Sequence, residues 1–134
     1  YPPTAKAHLL RDDMQFGPIR VRSFRQAHGP IHSIGYRFDA DGVSIGYSTD
    51  VSEIPAESWP LLEGLDLWVV DALRRAPHPT HSHLDQTLGW IERVSPGEAW
   101  LTHMDQSMDH AELTAELPPG VSPGWDGRIW EPAP

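Results

Sequence analysis

The chain has 134 residues, a formal net charge of -9 and no cysteine. This length supports one domain with one modest core, and the negative charge makes a nucleic-acid backbone an unlikely partner. The lack of cysteine excludes disulfides, thiolate zinc sites and cysteine nucleophiles. A transition-metal site would therefore use imidazole and carboxylate groups, which suit zinc, manganese or iron. No apolar run approaches the roughly 18 residues that cross a bilayer and no signal peptide is apparent, so we expect a cytoplasmic protein without a membrane partner.

The N-terminal part of the chain carries few periodic signals. Residues 1–18 contain scattered Pro and Gly and predict an irregular lead-in, with a short strand at 7–10. Residues 19–24 predict a strand with an irregularity at Ser23. The Gly-Pro pair within residues 25–30 then marks a turn, so His28 is expected just after a strand.

A hairpin is the clearest local prediction. Apolar and polar residues alternate over 34–38 and again over 43–47, on either side of the tight-turn pair Asp41-Gly42. Such a pattern is typical of two antiparallel strands. Pro55 suits the first turn of a helix, which should end near Leu62.

The second half of the chain alternates strands with helices. Residues 65–70 predict a central strand buried on both faces, and residues 98–102 predict another. A helix should run from Leu84 to the Pro96-Gly97 pair, and a second should begin at an Asp109 cap. Residues 128–130 could form an edge strand. This order of elements predicts an α/β fold.

Three strand ends carry residues that bind divalent metals, namely His28, Asp50 and His103. Side chains just past the last residue of a strand lie at the rim of a sheet, where open α/β sheets hold ligands. These residue types bind hard or borderline divalent metals. The alternative is that Asp50 caps the following helix and that both histidines are ordinary surface residues.

A loop rich in Pro and His contains His78, His81 and His83. Three interpretations compete for it: a metal site, a general acid close to a substrate, or a solvated loop. The sequence alone favours the solvated loop.

Other polar residues near these strand ends have mainly structural explanations. Asp71 ends the central strand and either approaches the metal or holds a neighbouring loop by hydrogen bonds, of which we favour the second. Thr102 precedes His103 and could orient it, although threonine is also a good strand residue. Of Arg74 and Arg75 at most one should face the site. Four tryptophans are expected in the core: Trp59, Trp68, Trp90 and Trp100.

Several short motifs, taken together over roughly Tyr1 to Glu131, resemble the second half of a metallo-β-lactamase-fold hydrolase. The nearest subgroup is the phosphoribosyl 1,2-cyclic phosphate phosphodiesterase type. The motifs that carry the resemblance are Gln26–Gly29 (QAHG), Tyr47–Ser52 (YSTDVS), Val70–Arg74 (VDALR), His78–His81 (HPTH), Leu101–Met104 (LTHM) and Glu116–Pro119 (ELPP).

The resemblance implies a four-layer αββα sandwich in which this chain supplies one mixed sheet with its outer helices. It also implies a site for two divalent ions, zinc or manganese. His28, Asp50 and His103 match three ligands of that site, with Asp50 as the bridge. His81 matches a histidine that acts on the phosphate or the leaving group, and Asp71 matches an acidic position beside the metals.

One departure limits what the resemblance implies for these residues alone. The family takes four further ligands from a His-x-His-x-Asp-His motif, which is absent from the 134 residues, and Gln106 replaces a histidine found in subgroup members. We therefore expect residues 1–134 to be the C-terminal portion of a single domain whose first half is absent. The expected partner is that half or a second copy of this chain, and the expected substrate is a small cyclic or nucleotide-like phosphoester.

Alone, the chain should bind metal weakly and lack turnover. Two alternatives stay open: a non-catalytic binding or assembly module that retains the half-fold, and a mononuclear site built from His78, His81 and His83.

Overall fold

A computed structural model of the protein describes residues 4–132, so the first three residues of the predicted lead-in lie outside the described part. Seven strands form one sheet in the order of the chain. The strands are β1 (Asp13–Phe16), β2 (Ile19–His28), β3 (Ile31–Ala40), β4 (Val43–Ser48), β5 (Leu67–Asp71), β6 (Glu98–Thr102) and β7 (Val121–Pro123). The helices are a 3-10 helix (Ala56–Leu62), α1 (Leu84–Val94) and α2 (His110–Glu116).

The sheet is mixed. β1 to β4 pair antiparallel to their neighbours, and β4 to β7 pair parallel. The parallel pairs are joined by the segments that contain the helices, as parallel connections require. The predicted α/β class with a mixed sheet is therefore confirmed.

The core lies on the helical face of the sheet. Trp68, Val70 and Leu101 are fully buried there, together with Leu62 before β5 and Leu113 of α2. Trp59 and Trp90 pack against this core from its edge. The prediction that Trp100 belongs to the core is wrong, because its ring lies on the opposite face and stacks with Arg128.

That opposite face carries no helix and exposes apolar side chains. The cross-strand pairs Tyr36–Tyr47 and Phe38–Ile45 lie on it, and Phe16 and Ile19 continue it towards the edge. Phe16 is 60% exposed and Tyr47 is 41% exposed. Within residues 4–132, no helix combines the length and apolar character needed to cross a bilayer.

Several predicted boundaries need correction. The predicted strand at 7–10 is wrong, since β1 forms at Asp13–Phe16. β2 continues to His28, and its register with β3 runs unbroken through Ser23. The segment after Pro55 forms a 3-10 helix, because Pro60 in its interior cannot donate a backbone hydrogen bond.

Other boundaries agree more closely with the sequence. The hairpin turns at Asp41-Gly42, and the Asp109 carboxylate caps α2 by accepting from two backbone amides. α1 ends at Val94, before Pro96, because Ser95 adopts a left-handed conformation. The predicted edge strand at 128–130 does not form, and its place beside β6 is taken by Val121–Pro123.

Candidate metal site

The topology brings four chemically useful residues to one rim of the sheet. β2, β4, β5 and β6 all run in the same direction, since β3 is antiparallel to both of its neighbours. Their carboxyl ends therefore share a rim. His28 ends β2, Asp71 ends β5, Asp50 follows β4 and His103 follows β6.

The side chains of the three predicted ligands converge at this rim. Oδ1 of Asp50 lies 3.9 Å from Nε2 of His28 and 3.7 Å from Nε2 of His103. His81 also joins them: the ligand atoms of His28, Asp50 and His81 all lie within 4.8 Å of one another. The Asp50 side chain is half exposed, so the cluster is open to solvent.

Two histidines are held by hydrogen bonds to one ring nitrogen. Nδ1 of His28 lies 2.7 Å from the carbonyl oxygen of Thr80, and Nδ1 of His81 lies 2.9 Å from Oδ2 of Asp71. Because a carbonyl or carboxylate oxygen can only accept, each Nδ1 donates its proton. The neutral ring then presents an unprotonated Nε2, which is the form that binds a metal.

Asp71 is fully buried and organises the loop behind the site. Burial raises the pKa of its carboxyl, and hydrogen bonds from His81 and the Val51 amide partly offset that rise. Oδ2 receives both hydrogen bonds, while Oδ1 is buried without a hydrogen-bond partner among the described residues. This arrangement agrees with the structural role favoured for Asp71, and it ties that role to the orientation of His81.

A buried network that the sequence did not indicate holds the Asp50 turn. The Gln26 side-chain amide donates to the carbonyl of Thr49 at 3.1 Å, and the Ser33 hydroxyl donates to the carbonyl of Asp50 at 2.7 Å. Asp50 itself has a φ of 53°. Such a left-handed backbone is unfavourable for a residue with a side chain, so these bonds fix a strained ligand position.

His103 is the second strained residue at the rim. Its φ is 60°, and its ring stacks on that of His81 with centroids 4.8 Å apart. The backbone carbonyl of Thr102 accepts from the amide of Ala72 and so ties β6 to the end of β5. The suggestion that Thr102 orients His103 stays a prediction.

The remaining polar residues of the loop divide into near and remote groups. The His78 ring lies 5.2 Å from that of His81, and partial desolvation with the nearby Arg74 charge lowers the pKa of His78. His83 precedes α1 at its N-terminus. Neither His78 nor His83 belongs to the metal-sized cluster found within residues 4–132, which gives no support to a mononuclear site made of the three loop histidines.

Arg74 and Arg75 differ as expected. Arg74 folds onto the carbonyls of Ala76 and Pro77 beside the site. Arg75 points to α2, where its guanidinium lies 2.6 Å from the Glu116 carboxylate.

The donor set fits a divalent metal. Two oriented imidazoles and a carboxylate meet at atoms that hydrogen bonds leave free, and a third imidazole, that of His103, approaches the same carboxylate. Imidazole with carboxylate suits zinc and related transition metals. The residues therefore form a possible His/Asp metal site.

Comparison with known proteins agrees with this geometry. A family model described as "Beta-lactamase superfamily domain" matches residues 4–104. The crystal structure of a new diphosphatase from the PhnP family superposes with a TM-score of 0.84 and 34% identity, covering 90% of this chain and 46% of that one. The metallo-beta-lactamase fold protein YhfI from Bacillus subtilis superposes with a TM-score of 0.82 at 19% identity, covering 97% of this chain and 57% of that one.

A curated relative is similar over almost the same region. An octanoyltransferase from Porphyromonas gingivalis is 29% identical over 129 residues, which make up 93% of this chain and 25% of the relative. The chain thus spans about a quarter of that protein and about half of the two solved structures.

Proposed function

Because the chain belongs to the beta-lactamase superfamily domain family and has a metallo-beta-lactamase hydrolase fold, we propose that it contributes to a metal-dependent phosphodiesterase. The observation that carries the proposal is the meeting of His28, Asp50 and His81 within 4.8 Å, with His103 beside Asp50. The proposed substrate is a small phosphoester, cyclic or nucleotide-like. The diphosphatase that shares 34% of its residues with this chain supports chemistry at phosphorus.

Each residue has a proposed role. Asp50 lies between His28 and His103 and would bridge two divalent ions, zinc or manganese, with one histidine on each. Those ions would supply Lewis acidity for a phosphoryl oxygen and for the attacking water. Asp71 holds the Nδ1–H of His81, and Thr102 supports the rim from β6.

His81 has a separate proposed task, namely to give a proton from Nε2 to the leaving oxygen. Its Nδ1 is engaged by Asp71 at 2.9 Å, so Nε2 is the atom available to a substrate. General acid catalysis from a positioned histidine contributes about 10²–10⁴-fold to a rate. Ligation of a metal by the same Nε2 would exclude this task.

We also propose that residues 1–134 form the C-terminal portion of a larger domain. A catalytic zinc usually has three protein ligands, and two ions sharing His28, Asp50 and His103 would each fall short. The apolar face of the sheet lacks a covering layer within residues 4–132, and large apolar patches mark interfaces. We propose that a second sheet of the same domain covers it, since this chain spans 46% of the matching diphosphatase.

Hydrolysis of bis(p-nitrophenyl) phosphate tests the function. A polypeptide that contains these residues together with the preceding half should hydrolyse it in the presence of zinc or manganese, and Asp50→Asn should abolish the activity. His32→Gln changes an exposed histidine of β3 and should leave it intact. Equal rates for Asp50→Asn and the parent protein would contradict the proposal.

Metal titration and light scattering test the incomplete domain. The isolated chain should bind zinc weakly and lack turnover, and tight binding of two ions per chain would contradict this. A dimer held together by the apolar face would identify a second copy as the covering layer. A non-catalytic module is the alternative function, favoured by the absence of the His-x-His-x-Asp-His motif from these residues, and inactivity of the longer polypeptide would support it.

A further inference from the structure

A cavity of about 350 Å³ opens directly beside His103. Its volume lies within the range typical of small-molecule sites. Part of its wall comes from β6 and the loop after it, and part comes from residues 124–128, which follow the region matched by the family. The side chains used below are Trp100, Thr102, His103, Trp125, Asp126 and Arg128.

The wall on the C-terminal side is an aromatic stack built around one cation. The guanidinium carbon of Arg128 lies 3.7 Å from the centroid of the Trp100 ring and 4.4 Å from that of Trp125. Trp125 is 55% exposed. The stack therefore offers an accessible aromatic surface a short distance from a proposed metal ligand.

Charge in the cavity argues against a second phosphate as its occupant. Nη1 of Arg128 donates to the Ser122 hydroxyl at 2.7 Å, and Nη2 faces the Glu98 carboxylate at 4.0 Å. This guanidinium is thus already committed to the protein. The exposed Asp126 carboxylate adds a negative charge, which repels an anion but can accept a hydrogen bond from a ring N–H or an amino group.

We propose that this cavity binds a planar, uncharged heteroaromatic ring of the substrate, with the ring stacked on Trp125. The inference rests on the proposed function, because it places the phosphoester at the His28, Asp50 and His103 cluster and the organic group beside it. A nucleobase attached through ribose has the required flat shape, and stacking of a base on an aromatic side chain is sequence-tolerant and favourable. The favoured substrates are accordingly nucleotide-like.

Binding of AMP and ribose 5-phosphate to the metal-free, 134-residue chain tests the cavity without requiring catalysis. Isothermal titration should give tighter binding of AMP, and the indole N–H signal of Trp125 should shift on addition of AMP only. Trp125→Ala should weaken AMP binding about 5-fold or more, as expected for the loss of one stacked base. The same variant should leave ribose 5-phosphate binding unchanged, and Trp125→Phe should retain most of the affinity for AMP.

Trp59→Ala is the matched control, since Trp59 also stacks with an arginine, Arg93 at 3.8 Å, but lies outside this cavity. It should bind AMP like the parent chain. Equal affinity for AMP and ribose 5-phosphate, no AMP binding, or equal losses in the two tryptophan variants would each overturn the proposal. His28→Ala separates the two levels: it should abolish phosphodiester hydrolysis in the longer polypeptide without changing AMP binding to the metal-free chain.

Discussion

The side-chain amide of Gln26 donates a hydrogen bond to the carbonyl of Thr49, the residue before Asp50, at 3.1 Å. Gln26 is fully buried, so its loss leaves that carbonyl without a donor. We expect Gln26→Met, which keeps the volume, to lower the free energy of unfolding by about 1–3 kcal/mol. Urea denaturation measures this change. The variant should also bind zinc several-fold more weakly, because the Asp50 turn loses one of its supports.

Ser58→Ala provides the control for Gln26→Met. Ser58 is 2% exposed and donates to the carbonyl of Arg25 at 2.7 Å, on the same strand but away from the rim. It should lose stability with unchanged zinc affinity. Equal zinc affinities in the two variants would show that Gln26 has no role in positioning Asp50.

The left-handed backbone at Asp50 predicts an unusual order of stability. With φ at 53°, alanine retains the clash of its Cβ with the backbone, whereas glycine does not. Asp50→Gly should therefore be more stable than Asp50→Ala by about 1 kcal/mol, as measured by guanidinium denaturation.

Asp85 in the first turn of α1 should give the opposite order, with Asp85→Gly less stable than Asp85→Ala by about 0.5–1 kcal/mol. The same order at both positions would argue against strain at Asp50. Either substitution of Asp50 should reduce zinc binding, because each removes the carboxylate.

His81→Gln separates the two chemical uses of that side chain. A proton donor should be dispensable for metal binding, so the variant should bind zinc within about two-fold of the parent chain. In a longer, active polypeptide its turnover should fall by about 10²–10⁴-fold. A parallel loss of zinc stoichiometry would instead identify His81 as a ligand.

Asp39 predicts how stability depends on pH. Burial alone would raise the pKa of its carboxyl, but hydrogen bonds from Arg22, Ser44 and Arg37 together outweigh burial and lower the pKa to about 2. A lowered pKa means that the ionised form stabilises the fold above the unfolded pKa of about 3.9. This contribution is lost as the pH falls through about 2.

Asp39→Asn should therefore cost about 1–2 kcal/mol at pH 7. The difference from the parent chain should shrink between about pH 4 and pH 2, as followed by urea denaturation at each pH. Asp13, paired with Arg20 at the exposed edge of the sheet, is the control, and Asp13→Asn should change stability far less. A difference for Asp39→Asn that does not vary with pH would contradict this assignment.

The sequence predicted the elements whose apolar period is regular and missed those held by polar groups. The β3–β4 hairpin and α1 follow directly from alternation and helical spacing. The last four residues of β2 do not alternate in the usual way, because the buried position is occupied by Gln26, whose hydrogen bonds depend on distant residues. β7 was hidden by Pro123, which an edge strand tolerates because one side of its backbone is unpaired.

The candidate site was predicted in identity more than in arrangement. Asp50 and His103 stand directly after strands, and the resemblance supplied His28 and His81. Their convergence depends on β2, β4 and β6 running in one direction, which the sequence does not state. The contact of His28 with the Thr80 carbonyl joins positions far apart in the chain, and no local pattern reports it.

The Asp41-Gly42 turn lies at the rim opposite the histidines, because β4 runs from that turn towards Asp50. Six residues of β4 separate the two rims by about 20 Å. A Cβ added at Gly42 would meet no atom within 4 Å, so the chain there is free of neighbours. An affinity tag or a fluorophore inserted at this turn should therefore leave the imidazoles undisturbed and give a handle for immobilising the protein with its reactive edge facing the solution.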